Sequence, residues 1–232
     1  MLTLALLALV PADIEALDSK EFSKEAQARA VVATVRVGNA AAGSTGSGVL
    51  LKRQGPFVYV LTANHVVAGA KRVEVSTFTA DSYPRAAAVY PKAEVIAQSA
   101  EADLAVLRLT TRDEMPGSVA VGPPRDAPAG KAFVALSVGC GDGGAPACAL
   151  EDVRGTRRVR KPGAEAAVTC WETARAPARG RSGGPLLDRD GRLIGLDSGA
   201  SDGKGYYTHL EEIQTFLRHN GLKSLCEEKD RK

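Results

Sequence analysis

The chain reads Gly180-Arg181-Ser182-Gly183-Gly184-Pro185-Leu186-Leu187 at the point that decides its fold. Glycine permits positive φ and close backbone approach, so a loop of this composition can direct several N–H groups at one point. A serine hydroxyl beside such N–H groups is what acyl transfer requires. The apolar run from Pro185 indicates a strand that begins at once, which argues against a merely flexible loop. The stretch therefore predicts a nucleophile, Ser182, at the head of a strand.

Two further motifs lie upstream of this serine. Leu61-Thr62-Ala63-Asn64-His65-Val66-Val67 ends an apolar run with a histidine, and Ala102-Asp103-Leu104-Ala105-Val106-Leu107 begins another with an aspartate. Taken alone, His65 is equally well a polar residue at a strand end, and Asp103 a residue that caps a strand. Taken together, the order histidine, aspartate, serine is the order of chymotrypsin and differs from that of subtilisin.

Through these motifs and Gly46-Ser47-Gly48-Val49, residues 28 to 220 resemble the trypsin/chymotrypsin-like serine peptidases, nearest the HtrA (Deg) branch. The resemblance implies an all-β fold of two six-stranded antiparallel β-barrels with a C-terminal α-helix. HtrA peptidases commonly carry a PDZ domain after the peptidase, and we expect none here.

The resemblance also implies roles for individual residues. Ser182 would be the nucleophile, His65 the general base and Asp103 the residue that orients it. The backbone N–H groups of Gly180 and Ser182 would form the oxyanion hole. The residues expected to line the substrate pocket are Ala176, Ser198, Gly199 and Ala200. They include no carboxylate, so we expect small uncharged residues before the cut, unless Arg175 or Arg179 turns inward and favours acidic ones.

The spacing of short β-branched runs independently predicts an all-β barrel or sandwich. The expected organisation is a signal peptide over 1–12, a leader or helix over 13–27, barrel one over 28–115, a Pro- and Gly-rich linker over 116–130, barrel two over 131–207, a helix over 208–220 and a tail over 221–232. A first strand is predicted over Val31–Val37.

Composition limits the function classes. The chain has 232 residues, is 44% apolar and 5% aromatic, and carries a net charge of +3, which is too mild to indicate nucleic-acid binding.

The apolar run Leu2–Val10 is too short to cross a bilayer as a helix. Followed by Pro11-Ala12, it is typical of a secretory signal, although no Lys or Arg precedes it; the alternative is a buried N-terminal element. We therefore expect a secreted or periplasmic protein.

Four cysteines are present, none in C-x-x-C spacing, so no metal site is expected. Cys140 and Cys148 flank a Gly-rich stretch and predict one disulfide, which leaves Cys170 and Cys226 for a second. Four cysteines allow three connectivities, and four independent thiols are the alternative.

A basic cluster runs from Arg154 to Lys161. It is interpreted as a solvated hairpin, with an exosite for acidic substrate segments as the alternative. Arg181 stands where trypsin has an aspartate that pairs with a newly cut N-terminus, so activation by cleavage is not expected.

The sequence therefore predicts a serine endopeptidase without cofactor that acts on proteins or peptides through an acyl-enzyme on Ser182. The alternative is an inactive member of the fold that binds peptides or acts as a scaffold. An esterase on the same fold is a third hypothesis.

Overall fold

Twelve strands and three helices form the described part of the chain, which in this computed structural model comprises residues 17, 19–122, 132–161 and 164–226. The first half contains α1 (Lys24–Val32), β1 (Thr34–Asn39), β2 (Ser44–Gln54), β3 (Phe57–Thr62), α2 (Asn64–Val67), β4 (Arg72–Thr77), β5 (Ala88–Ser99) and β6 (Leu104–Thr110). The second contains β7 (Phe133–Gly139), β8 (Ala147–Val159), β9 (Val168–Thr173), β10 (Pro185–Leu187), β11 (Leu193–Ser201), β12 (Lys204–His209) and α3 (Leu210–His219), with 3-10 turns over Gly141–Gly143 and Lys223–Leu225. The expected signal peptide over 1–12 lies outside the described residues, as does part of the expected linker.

Both lobes are closed antiparallel barrels, which confirms the predicted fold. The first barrel has the strand order β1-β2-β3-β6-β5-β4, and the second has the equivalent order β7-β8-β9-β12-β11-β10. The hairpin of β2 and β3 turns at Gly55, with Gln54 opposite Phe57. Inward-facing residues of these strands fill the first barrel with valine, leucine and alanine, and the core of the second also contains Trp171, Ile194 and Tyr207.

The largest apolar cluster lies between the barrels and joins them. It combines strand residues of both lobes with α1 and α3, including Val31, Leu104, Leu136 and Ile213. Burial of this shared surface stabilises the docking of the lobes, because apolar area is removed from water on both sides.

The N-terminal helix was only partly predicted. The predicted strand over Val31–Val37 is wrong in its first three residues: Val31 and Val32 close α1, and β1 begins at Thr34. The side chain of Ser23 caps the helix by accepting the Ala26 N–H at 3.2 Å. Phe22 is 3% exposed, so the packed unit begins before the expected boundary between residues 27 and 28.

The predicted disulfides are absent. Among the described residues, the sulfurs of Cys140, Cys148, Cys170 and Cys226 form no disulfide with one another. Burial raises the pKa of the Cys140 and Cys148 thiols to about 12 and that of Cys170 to about 11, so these three are poor nucleophiles at neutral pH.

The Gly-rich stretch between Cys140 and Cys148 does not bring their side chains together. Cys140 lies against the first lobe: its N–H donates to Ser47 Oγ at 2.8 Å, and Ser47 is also the hydrogen-bond partner of its thiol. Cys148 faces α1, with its Sγ 3.8 Å from the Gln27 carbonyl oxygen. The two thiols therefore pack against different elements, which spacing along the chain cannot reveal.

Candidate active site

The short helix α2 holds a histidine against a buried carboxylate. The Nδ1 atom of His65 lies 2.9 Å from Asp103 Oδ2 and 3.0 Å from Asp103 Oδ1, and the His65 backbone N–H donates to Oδ1 at 3.0 Å. Because Nδ1 faces two acceptor oxygens, the neutral ring carries its proton there and keeps a lone pair on Nε2. The side chain is 49% exposed, so this ring is oriented by protein and open to a substrate.

Asp103 lies just before β6 with a left-handed φ of 53°, which is strained for a residue with a side chain. Ser198 Oγ donates to its Oδ2 at 2.6 Å, and Thr208 Oγ1 donates to the carbonyl of Ala102 at 2.8 Å. Burial acts to raise the pKa of Asp103, but the hydrogen bond and charge of His65 and the charge of Lys161 together hold that pKa below its ordinary value. The group is therefore a stable anion beneath the histidine.

The loop that carries Ser182 is fastened to the first lobe. The Ser47 N–H donates to the Ser182 carbonyl at 2.7 Å, and Ser47 Oγ donates to the Gly180 carbonyl at 2.8 Å. On its other side, the Gly183 N–H donates to the Asp197 carbonyl at 2.8 Å. Ser182 of lobe two is thereby held against the lobe that contains His65.

Gly183 shows why this loop needs glycine. Its φ is 84°, and a Cβ at this position would collide with the Ser47 carbonyl oxygen and with Thr62 Oγ1. Only glycine satisfies both the positive φ and the close approach of the two lobes.

Within residues 180–184, two backbone N–H groups have no hydrogen-bond acceptor among the described residues: those of Gly180 and Ser182. Gly180 has a positive φ of 83°. Unpaired N–H donors beside a hydroxyl can stabilise, by hydrogen bonds, the negative charge that develops on a carbonyl oxygen when the hydroxyl attacks its carbon.

Arg181 turns away from the cleft into the second lobe, a contact that the sequence did not predict. Its guanidinium donates to the Ala147 carbonyl at 3.0 Å and to Ser137 Oγ at 2.9 Å. Ser137 Oγ in turn donates to Glu151 Oε1 at 2.8 Å, and the Tyr207 hydroxyl donates to the same oxygen at 3.2 Å. We call this chain of hydrogen bonds the Arg181 network; it anchors the loop that carries Ser182 to the second lobe.

Lys161 is the second unpredicted member of the site. Its Nζ lies 3.2 Å from Asp103 Oδ2 and 2.6 Å from both the carbonyl oxygen and Oγ of Ser198. The side chain is only 20% exposed, so the interpretation of the whole basic cluster as a solvated hairpin is wrong for this residue. No sequence signal separates it from the arginines before it.

A cleft of about 860 Å³ opens beside His65 and Asp103. We call it the cationic cleft, because its walls include Arg158, Arg160 and Lys161. The predicted substrate-pocket residues Ser198, Gly199 and Ala200 also line it.

Ala176, expected at the floor of the pocket, is instead exposed on the loop after β9 and does not line this cleft. The side chains of Arg175 and Arg179 are exposed on the same loop.

Asp197 precedes Ser198 and is 2% exposed. Its Oδ1 accepts the Gly199 N–H at 3.0 Å, while its Oδ2 has no hydrogen-bond partner among the described residues. Burial raises the pKa of Asp197 from 3.8 to about 7, against the opposing effects of the Gly199 N–H and the Arg181 charge. Near neutral pH this carboxyl therefore titrates in the folded protein.

Asp197→Asn is expected to change how stability depends on pH. The raised pKa means that the folded state keeps a proton which the unfolded state has already released, so this group costs stability as pH rises from about 4 through 7. Between about pH 5 and pH 8 the free energy of unfolding of the variant should rise by about 2–3 kcal/mol relative to the unmodified protein. Urea titrations at both pH values measure it, with exposed Asp190→Asn as control. Parallel pH curves for all three proteins would contradict the titration of Asp197.

No cluster of three or more His, Cys, Asp or Glu side chains suited to a metal ion is found in the described ranges. Within the same ranges, the helices are too short or too polar to span a bilayer.

The sequence matches the family model described as trypsin-like peptidase domain over residues 46–196. It is 28% identical over 187 residues to the Serine protease Do-like HtrA of Bacillus subtilis, covering 79% of this chain and 39% of that protein. It is 30% identical over 163 residues to the probable periplasmic serine endoprotease DegP-like of Hahella chejuensis, covering 70% of this chain and 31% of that protein. The chain thus spans less than two fifths of the length of these relatives.

Solved structures show the same fold. The Rv3671c protease of M. tuberculosis in its inactive form superposes with a TM-score of 0.69 at 20% identity, covering 90% of this chain and 96% of that one. An HtrA-type protease, AlgW, solved with a tripeptide, superposes with a TM-score of 0.67 at 25% identity, covering 85% of this chain and 62% of that one. The first likeness concerns the fold alone.

Proposed function

Because the chain belongs to the trypsin-like peptidase family, we propose that it is a serine endopeptidase with Ser182 as nucleophile, His65 as general base and Asp103 as the residue that orients His65. The observation that carries this proposal is the pairing of the His65 ring with Asp103 on one lobe, together with the two Ser47 hydrogen bonds that fix the Ser182 loop to that lobe. The sequences and structures to which the chain is similar include HtrA-type serine proteases.

The proposed reaction begins when His65 Nε2 takes the proton of Ser182 Oγ as that oxygen attacks a peptide carbonyl carbon. The carbonyl oxygen becomes an oxyanion that accepts hydrogen bonds from the N–H groups of Gly180 and Ser182. His65 returns the proton to the leaving amine, and water, activated by the same ring, hydrolyses the acyl ester on Ser182. Asp103 holds the Nδ1–H tautomer throughout and stabilises the imidazolium.

No cleavage step is needed in this proposal. In place of a pair between an aspartate and a new N-terminus, the Arg181 network fixes the loop beneath Ser182. For the residue before the cut, Ser198, Gly199 and Ala200 offer small uncharged surroundings, so we propose a preference for Ala, Val or Leu there. A fluorogenic peptide library that varies this residue alone measures the preference, and selection of Lys or Arg would overturn it.

We also propose that the chain acts after export, to the periplasm or medium. Support comes from the apolar run Leu2–Val10 and from the relative named periplasmic. A mass that corresponds to loss of the first 12 residues in exported protein would agree with this, and recovery of the intact chain in the cytoplasm would overturn it.

Ser182 is expected to react with a fluorophosphonate probe without prior trimming of the chain, since an activated serine beside free N–H donors attacks phosphorus as it does a carbonyl. Mass spectrometry of the labelled protein should place a single adduct on Ser182, and Ser182→Ala should stay unlabelled. Absence of an adduct from folded protein would favour the inactive, peptide-binding alternative. Turnover of ester substrates without any peptide turnover would favour the esterase.

A further inference from the structure

The cationic cleft carries more positive charge than the acids around it balance. It is lined by Arg158, Arg160 and Lys161, and Asp103 is the carboxylate on its walls. Arg158 is 66% exposed and lies 3.9 Å from Glu212, an ion pair too long and too solvated to neutralise it fully. Arg160 forms no ion pair with any acidic residue in the described parts of the chain.

The other arginines of the basic cluster are different. Arg154 pairs with Asp152 at 3.6 Å, and Arg157 donates to Glu172 at 3.1 Å. Neither lines the cleft. The excess of positive charge is therefore located beside the candidate active site and not spread along the hairpin.

Lys161 contributes charge to the cleft but no free donor. An ammonium group has three N–H bonds, and Nζ has three acceptors within hydrogen-bond distance, on Asp103 and Ser198. The guanidinium groups of Arg158 and Arg160 are therefore the groups with donors to offer, and Arg160 is the less occupied of the two.

An open strand edge runs along the same cleft. On one side of β11, Gly199 and Ala200 pair with Tyr206 and Gly205 of β12. On the other side, pairing with β10 ends at Leu196, and no described strand continues it along residues 198–201. An extended peptide can add to such an edge by main-chain hydrogen bonds, with alternate side chains directed to one wall.

From these observations we infer that the cleft selects substrate segments that carry Asp or Glu within a few residues of the cut, in the part of the peptide that lies along residues 198–201. The inference rests on the proposed function for the cut itself. Recognition is by Arg160 and Arg158, whose planar guanidinium groups match a carboxylate, within the positive potential to which Lys161 adds. The residue directly before the cut is not part of this selection; it contacts the small residues Ser198, Gly199 and Ala200 in the proposed function.

Matched peptides test this selection. A fluorogenic peptide series is made in which each position near the cut carries Asp or Glu in one member and the isosteric Asn or Gln in the other. The acidic members should be cut about fivefold faster in kcat/KM at one or two positions, the effect of one or two partly exposed ion pairs. This ratio should fall toward one as salt is raised, because the cleft is open to solvent.

Variants assign the effect to the cleft. Arg160→Gln should reduce the acidic-to-neutral ratio to about twofold or less, and Arg160→Glu should invert it. Arg154→Gln, on the same hairpin but outside the cleft, should retain the ratio of the unmodified protein. An equal ratio in the unmodified protein and in Arg160→Glu would overturn the inference.

Binding to Ser182→Ala separates this inference from the proposed function. Fluorescence anisotropy should show the acidic member of each pair binding several-fold more tightly than its neutral partner, with the same dependence on Arg160. Tighter binding without turnover by the unmodified protein would refute the peptidase proposal alone. Turnover without any acidic preference in rate or binding would refute the cleft inference alone.

Discussion

Ser182→Ala is expected to lower kcat/KM for peptide hydrolysis by about 10⁴- to 10⁶-fold while leaving the fold intact. The substitution removes one hydroxyl at a partly buried position, and the bonds that hold the loop, from Ser47 to the Ser182 and Gly180 carbonyls, involve none of the removed atoms. His65→Ala should lose a similar factor, because without a base the hydroxyl is a weak nucleophile.

The double variant should have about the same kcat/KM as either single variant. The two groups act as a unit, so removing the second causes no further loss of rate once the first is gone. Rates of a fluorogenic peptide and thermal unfolding curves measure both effects. Ser118→Ala, which removes an exposed hydroxyl, serves as control and should match the unmodified protein. Hydrolysis retained in purified Ser182→Ala protein would remove the central proposal.

Arg181→Met is expected to destabilise the protein by about 3–5 kcal/mol, the cost of losing two buried hydrogen bonds from a charged donor, and to abolish labelling of Ser182 even below the unfolding temperature. Arg181 is 8% exposed, and its loss removes the charged donor to the Ala147 carbonyl and to Ser137 Oγ, which in turn bonds Glu151. The loop beside Ser182 would then lose the contacts that fix it from below.

Arg181→Lys should restore part of the stability, because it keeps the charge, but less of the labelling, because an ammonium cannot span the Ala147 carbonyl and Ser137 Oγ as a guanidinium does. Arg112→Met removes an exposed arginine and should change stability by less than about 0.5 kcal/mol. Full labelling of a folded Arg181→Met protein would show that the network does not position the loop.

The two barrels and the helix at residues 210–219 could be predicted because the motifs occur in a diagnostic order and the strands carry strong local signals. His65, Asp103 and Ser182 each stand at an end of an apolar run, and the resemblance to trypsin-like peptidases implies that these ends meet between the lobes. No local pattern indicates strand β12, because Gly205-Tyr206-Tyr207 is a short run directly before a helix and its pairing with residues 170–173 is nonlocal.

The parts of the site that could not be predicted from the sequence depend on where a side chain points in the folded protein, and residue type alone does not determine this. Nothing in the sequence distinguishes Lys161, which turns inward to Asp103, from Arg160 beside it, which stays exposed. Ser47 lies in a quoted motif, yet its role arises only when the second lobe docks on it. The disulfide prediction failed for the same reason. Cys140 and Cys148 are close in the sequence, but their side chains pack against different elements.

The contact between β2 and the Ser182 loop has a consequence for how such a protein can vary. Ser47 bonds to the loop across 133 positions of sequence, and a side chain at Gly46 would place a Cβ 2.8 Å from the Ser182 carbonyl oxygen. Neither residue is proposed to touch a substrate, yet the position of the Ser182 loop depends on both. A lobe taken from a related protein must therefore carry residues that fit this contact between the lobes. Substitutions in one lobe at this contact limit those that the other lobe can accept.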